Sequence, residues 1–401
     1  MTDSPSGTTT TKGPARLKYA PTAFLLPGGL ALLAGLDAGL LLAGLPSPVD
    51  QPSLTARHGM LMVLGFLGTL IALERAVALR RTWGLAAPGF LGLGGILLTV
   101  GAPQWLGTIA LVNGCVVLVA VYVQLFARQY DEATAVELLG AVSAMTAALL
   151  WLRLEVSVLL PWLVTFILLT IIAERVELAR LHRPPGSERI LLILSSVVII
   201  GALASLIAPR LGAHVFGATV LVLTLWSANG DVARKTIKLT GLPRFSAAAL
   251  LLGYAWLTVG ALIWLIKGEP NTFNSYDAAV HSVFLGFAMS MVIAHAPVIL
   301  PAVIRRPLPY HPSMWVTLIV LQIGLILPGR HRRRARRTTR MGGRHLDHRR
   351  RAPAPASHRG DAGDHRQSQE KLTYGPYMRR GVGVVGLQVG LESRDQVKGQ
   401  R

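Results

Sequence analysis

A single cysteine, Cys115, occurs in 401 residues. That excludes an intramolecular disulfide, a Cys-x-x-Cys redox pair and a thiolate-based metal cluster. Charge is scarce as well. Only 15% of residues are Asp, Glu, Lys or Arg, against about 25% in a soluble domain, which excludes an ordinary water-soluble fold. Acidic residues are the rarer sign, 20 against 40 basic ones, for a formal charge of +20. That excess has the look of a nucleic-acid-binding protein until it is divided along the chain. Residues 329–401 hold 19 Lys and Arg with 6 Asp and Glu, leaving 21 and 14 for residues 1–328. The basic character belongs to the tail, and no nucleic-acid partner is expected. No cleavable signal peptide is expected either, because the polar first twenty residues lead into an apolar run without a small-residue cleavage site.

What the chain has is apolar length. Hydrophobic residues make up 52% and mean hydropathy is +0.48. They come in runs of about twenty, the length that crosses ~30 Å of hydrocarbon as a helix. Eleven candidate helices follow, at 21–45, 58–79, 84–101, 105–127, 133–152, 157–180, 189–208, 211–228, 245–266, 278–304 and 313–328. The fold class is therefore an all-α, polytopic transmembrane helix bundle in contact with membrane lipid. A polar tail (1–20), a transmembrane domain (21–328) and a basic low-complexity tail (329–401) are its three parts. Arginines and lysines concentrate in the connections that share a side with the N-terminus, so the positive-inside rule predicts a cytoplasmic N-terminus.

Eleven spans would leave a tail of strongly positive charge on the outer side, against that rule. The composition changes abruptly at Gly329 to GRHRRRARRTTRMGGRHLDHRRR. Two readings compete: a disordered basic extension, and a reading-frame shift that replaced a twelfth helix. The frameshift is favoured because a twelfth span restores an even count. The tail's five histidines are assigned no metal role.

An internal repeat recurs every four helices. The second, sixth and tenth read GFLGTLIALERAVAL from Gly65, TFILLTIIAERVELA from Thr165 and GFAMSMVIAHAPVIL from Gly286. A small residue followed by Phe stands nine positions before Glu74, Glu174 and His295. This spacing predicts three four-helix units around a centre, with equivalent helices lining equivalent pores.

Outside the tail lie His58, His182, His214, His281, His295 and His311. His182 and His311 fall in Arg- and Pro-rich loops and read as solvated. The others lie in or at the mouths of spans, where ionisable groups usually line a site. His58 and His281 head the second and tenth helices at a common depth, which suits a bis-histidine haem. His295 lies fourteen residues past His281, about 21 Å deeper on nearly the same helical face. Gly59, Gly65, Gly68, Ser282 and Gly286 would let a macrocycle approach the backbone, and Arg57 would suit its propionates. Each histidine could equally hydrogen-bond a neighbouring helix. Met62, Met289 and Met291 with these imidazoles offer Cu(I) ligands, or core filler. Glu74 with Arg75 and Glu174 with Arg175 read as snorkelling pairs, a proton entry route or a propionate clamp by the arginines. Asp37 and Glu137 read as proton-path carboxylates or helix-bonded acids.

The segments RHGMLMVLGFLGTLIALERAVAL and AVHSVFLGFAMSMVIAHAPVILPAV resemble the histidine-headed helices of the NnrS family, over about residues 20 to 328. Twelve helices in three arcs also resemble, more distantly, haem-copper oxidase subunit I. The resemblance implies a bacterial cytoplasmic-membrane protein that binds b-type haem through His58 and His281, with His295 a further haem or copper ligand. It implies a role in the nitric oxide response or in electron transfer, with a redox partner protein. The sixth and seventh spans carry no histidine, so the oxidase's copper-dioxygen centre is not expected. The alternative function is a cofactor-free transporter with histidines and carboxylates on a proton-coupled path.

Overall fold

A computed structural model describes residues 21–49, 51–270, 272–304 and 309–327. The two tails, with the frameshift reading and the tail histidines, lie outside the described residues. Every regular element among the described residues is helical. Ten helices are long and apolar enough to cross a membrane. They are α1 (Thr22–Ala43), α2 (Ser53–Leu79), α3 (Thr82–Thr99), α4 (Gln104–Gln129), α5 (Glu132–Leu150), α6 (Val156–Leu178), α7 (Ser187–Ile207), α8 (Pro209–Asn229), α9 (Leu242–Lys267) and α10 (Asn274–Pro297). The eleventh expected segment forms α11, Met314–Ile326, of 13 residues. At 1.5 Å per residue α11 is about 20 Å long, short of the hydrocarbon thickness. The chain is a multi-pass integral membrane protein.

Local chemistry sets the helix ends. Gly44 stops α1 in the left-handed region at φ 70°, where a residue without Cβ is unstrained. The Asp131 side chain accepts from the Thr134 N–H at 3.1 Å and starts α5. Thr272 and Ser275 form a reciprocal capping box ahead of α10.

Consecutive helices pack as antiparallel hairpins, with α3 on α4, α5 on α6 and α8 against both α7 and α9. In a membrane such contacts rest on close backbone approach. A Cβ at Gly212 would stand 2.1 Å from the Ala204 carbonyl oxygen, and one at Gly217 2.3 Å from the Leu265 nitrogen. Among the ten spans α6 is the most enclosed and α7 the least. The bundle is therefore centred on α6, with α2 the next most buried.

The predicted repeat has a backbone counterpart. Residues Leu61–Gly68 of α2 and Ser282–Met289 of α10 are both wound as π-helix. Leu61 and Ser282 each lie thirteen residues before Glu74 and His295. In α6 the residue thirteen before Glu174 is Pro161, inside the helix, where a regular i to i−4 bond cannot form. All three helices are thus irregular at one register position, and such irregularities are frequent at functional sites.

Candidate acid–arginine–histidine site at the bundle centre

Because an even number of crossings separates them, α2, α6 and α10 run in the same direction. Their repeat-equivalent positions, Glu74, Glu174 and His295, therefore reach one level, about 6–8 Å before the ends of α2 and α6. There a cavity of about 260 Å3 is lined by Glu74, Glu174 and His295 together. One turn earlier, Ile71, Ile171 and Val292 line it at equivalent positions, and two turns earlier Leu67 and Ile167 do. Where separate equivalent pores were expected, the structure brings the three repeat positions to one shared cavity.

The residues after the two glutamates are arginines, and both turn into the protein. Arg75 Nη2 lies 3.2 Å from Glu74 Oε1 and 3.6 Å from Glu174 Oε1. Its Nη1 lies 3.4 Å from each oxygen of Glu137 on α5, a side chain 1% exposed. One guanidinium thus serves three carboxylates, and the buried Tyr122 hydroxyl of α4 lies within their field.

Arg175 is matched differently. Its Nη2 and Nε donate to the two oxygens of Asp231 at 2.7 and 3.1 Å, the planar fork geometry of a strong pair. Its Nη1 donates to His295 Nε2 at 3.5 Å, while His295 Nδ1 donates to the Met291 carbonyl at 2.7 Å. Asp231 follows α8 and also accepts from the Ala233 N–H at 2.8 Å and the Tyr254 hydroxyl of α9 at 3.0 Å. Burial alone would disfavour its charge. The Arg175 hydrogen bonds and charge, with those two further donors, outweigh burial and hold the Asp231 carboxyl below the usual carboxylate range.

Charge accounting follows from these pairs. Arg175 and Asp231 cancel, whereas Arg75 faces Glu74, Glu137 and Glu174. Fully ionised, the cluster would carry two uncompensated negative charges. Inside a membrane protein such an excess is costly and is met by protons or by a bound cation.

Residues 21–343 match the family described as a domain of unknown function, DUF8744. The chain belongs to that family. No curated protein and no solved structure matches it.

The other sequence-selected residues of this DUF8744 member have separate surroundings. His58 Nδ1 donates to the Gly35 carbonyl of α1 at 2.8 Å, which makes Nε2 the lone-pair nitrogen of the ring. His281 Nδ1 donates to the Asp277 carbonyl at 2.9 Å and lies 3.1 Å from its carboxylate. His281 and Asp277 are within electrostatic reach of His58. At His58 that tautomer leaves Nε2 as the acceptor atom of the ring. The glycines expected to admit a macrocycle lie against neighbouring side chains. A Cβ at Gly65 would stand 3.1 Å from Ala31 Cβ, and one at Gly286 would stand 2.5 Å from Trp256 Cβ. Met62 packs its thioether over Gly35.

Arg57 Nη1 donates to the Leu98 carbonyl at 2.8 Å, satisfying an orphan acceptor at the end of α3. His214 Nδ1 does the same for Leu265 near the end of α9, at 2.7 Å. Asp37 accepts from the Ser47 hydroxyl at 2.7 Å and the Val49 N–H at 3.1 Å, fixing the turn after α1. Among the described residues no group of three or more His, Cys, Asp and Glu is placed to hold a metal ion.

Asp231, Tyr122 and Tyr254 were not anticipated as site residues. The available signal was the Glu-Arg doublet repeated in α2 and α6: two inward arginines require buried acceptors somewhere in the bundle.

Proposed function

We propose that the protein is a proton-coupled membrane transporter whose working site is the Glu74–Glu174–His295 cavity. One observation carries this reading: three repeat-equivalent ionisable side chains meet at one cavity, backed by a cluster with two carboxylates in excess of its arginines. Such a site exchanges protons for a cation: two protons neutralise the excess, and so does one proton with one monovalent cation, so each cation bound displaces one proton. Placement between repeats, near the ends of parallel helices, suits access from one side of the membrane at a time. The positive-inside reading makes that side cytoplasmic in a bacterial inner membrane.

The test uses everted vesicles with an acidified interior and a dye that reports the pH gradient. Added cations, taken from Na+, K+ and small organic ammonium ions, should dissipate the gradient when the wild-type protein is present. The rate should exceed that of protein-free vesicles, through which the neutral amine leaks, and Glu74→Gln and Glu174→Gln vesicles should match the protein-free rate. If no cation in the panel dissipates the gradient faster with folded protein than without it, the transporter reading fails.

A second reading is carried by the His58 tautomer and the proximity of His281. It is a b-type haem held by this pair, with copper as a further metal, in a protein of nitric oxide response or electron transfer served by a redox partner. Bound haem would supply one-electron chemistry. The chain's own contribution would be to orient the imidazoles through the Gly35 and Asp277 carbonyls. A reduced-minus-oxidised optical spectrum of the purified protein decides it: a low-spin haem signature lost in His58→Ala and His281→Ala supports this reading, and its absence from folded wild type removes it.

A further inference from the structure

We infer that the substrate of the central cavity is a small organic cation with an apolar body, a primary or secondary ammonium ion, seated with its N–H groups at Glu74 and Glu174. This rests on the proton-coupled reading and names its substrate class.

The cavity has a polar end and an apolar shaft. Glu74, Glu174 and His295 are its ionisable lining groups. Leu67 and Ile167 lie seven residues before the glutamates, so the aliphatic wall extends about 10 Å along the helices from the acidic level. A column of water does not suit that wall, since each buried water needs two to four polar partners. A bare divalent ion does not suit the acidic end. Calcium takes about six to eight oxygen ligands, and no three of the described acids and histidines come together as a metal site. Anions are refused by the charge excess. A cationic head on an apolar body satisfies both ends.

The head group can be narrowed further. Among the described residues no Phe, Tyr or Trp lines the cavity, so no such ring face is there to hold a quaternary ammonium ion. Carboxylates instead reward charged N–H donors with short, strong hydrogen bonds. Arg75 cannot satisfy both glutamates fully, because the same guanidinium also serves Glu137. Size follows from volume. A cavity of about 260 Å3 admits a small amine with a hydrocarbon body. Phenethylammonium has that size, shape and charge.

Calorimetric titration of the detergent-purified full chain tests the inference. The probes are phenethylammonium, its uncharged counterpart 2-phenylethanol, phenyltrimethylammonium and sodium. Repeating the titration in buffers of different ionisation enthalpy counts the protons released. Phenethylammonium should bind with release of protons and at least about tenfold more tightly than the other three, the worth of a charged hydrogen bond. Glu174→Gln should weaken it by a similar factor. Ile171→Phe, which fills the apolar shaft and leaves every charge in place, should abolish binding with the thermal unfolding curve retained. Equal binding of the alcohol, or unchanged binding in the Ile171→Phe protein, overturns the inference. Gradient dissipation by sodium with no amine binding also overturns it while leaving proton coupling intact. Amine binding without proton release supports the substrate class and sinks the coupled reading.

Discussion

Replacing Arg175 with methionine strips Asp231 of its charge partner and keeps most of the side-chain volume. Asp231 has a fully buried side chain, and Arg175 is only 12% exposed. Breaking a buried pair from one side costs about 3–5 kcal/mol, mostly the penalty of the charge left behind. Asp231 keeps the Ala233 N–H and the Tyr254 hydroxyl, which places the loss at the lower end, about 3 kcal/mol. That is more than a hundredfold in the folded-to-unfolded ratio. Adding Asp231→Asn removes the stranded charge, so the double variant should recover about 2 kcal/mol of the loss. The measurement is reversible unfolding in detergent micelles for wild type, both single variants and the double variant. Acid supplies an independent axis. The Asp231 carboxyl is held below its ordinary range in the folded protein, so its contribution is complete above the unfolded carboxylate pKa. It declines as pH falls through that range and is lost below the lowered folded value. Wild type should therefore lose a component of stability on acidification that Asp231→Asn lacks. An Arg175→Met protein within about 0.5 kcal/mol of wild type, or a loss that Asp231→Asn does not relieve, would refute the reasoning.

Other outcomes follow from single contacts. The buried Tyr122 hydroxyl has no hydrogen-bond partner, so Tyr122→Phe should raise stability by about 1 kcal/mol in the same unfolding assay. A Cβ at Gly212 would overlap the Ala204 carbonyl, whereas one at Gly29 meets nothing within 4 Å. Gly212→Ala should accordingly cost about 3 kcal/mol or more, or prevent folded expression, while Gly29→Ala should be neutral or stabilising. Trp256 Nε1 donates to Gln322 at 2.6 Å and ties α9 to the short α11. Gln322→Leu should lower stability by about 1 kcal/mol and leave amine binding unchanged, read by unfolding and calorimetry side by side.

Much of the helical framework was legible in the residues. Runs such as GFLGTLIALERAVAL mark spans because transfer from water to hydrocarbon is nearly a sum over side chains. The nine-residue interval to Glu74, Glu174 and His295 also survived into space, since equal intervals on parallel helices bring residues to equal height. Partners were less legible. Asp231 follows Asn229 and Gly230 and reads as a solvated turn acid, and only the approach of Arg175 from α6 and Tyr254 from α9 buries it. Gly65 and Gly286 read as clearance for a macrocycle, yet the same missing Cβ also admits Ala31 or Trp256. Arg57, beside His58, reads as a propionate donor, and its Nη1 contact with the Leu98 carbonyl at the end of α3 could not be foreseen from sequence.

The residues alone established an all-helical membrane protein, ten of its eleven expected spans, and which three positions are equivalent. Those properties depend on local composition and on the rise of a helix per residue. Tertiary structure alone decided that the three equivalent positions share one cavity, that Arg75 serves three carboxylates while Arg175 serves one, and that carboxylates in the cluster outnumber arginines. Whether a buried carboxylate is neutralised depends on which helices become neighbours. Neighbours are chosen by glycine-scale packing between segments far apart in the chain, and a single-helix pattern carries no record of that choice.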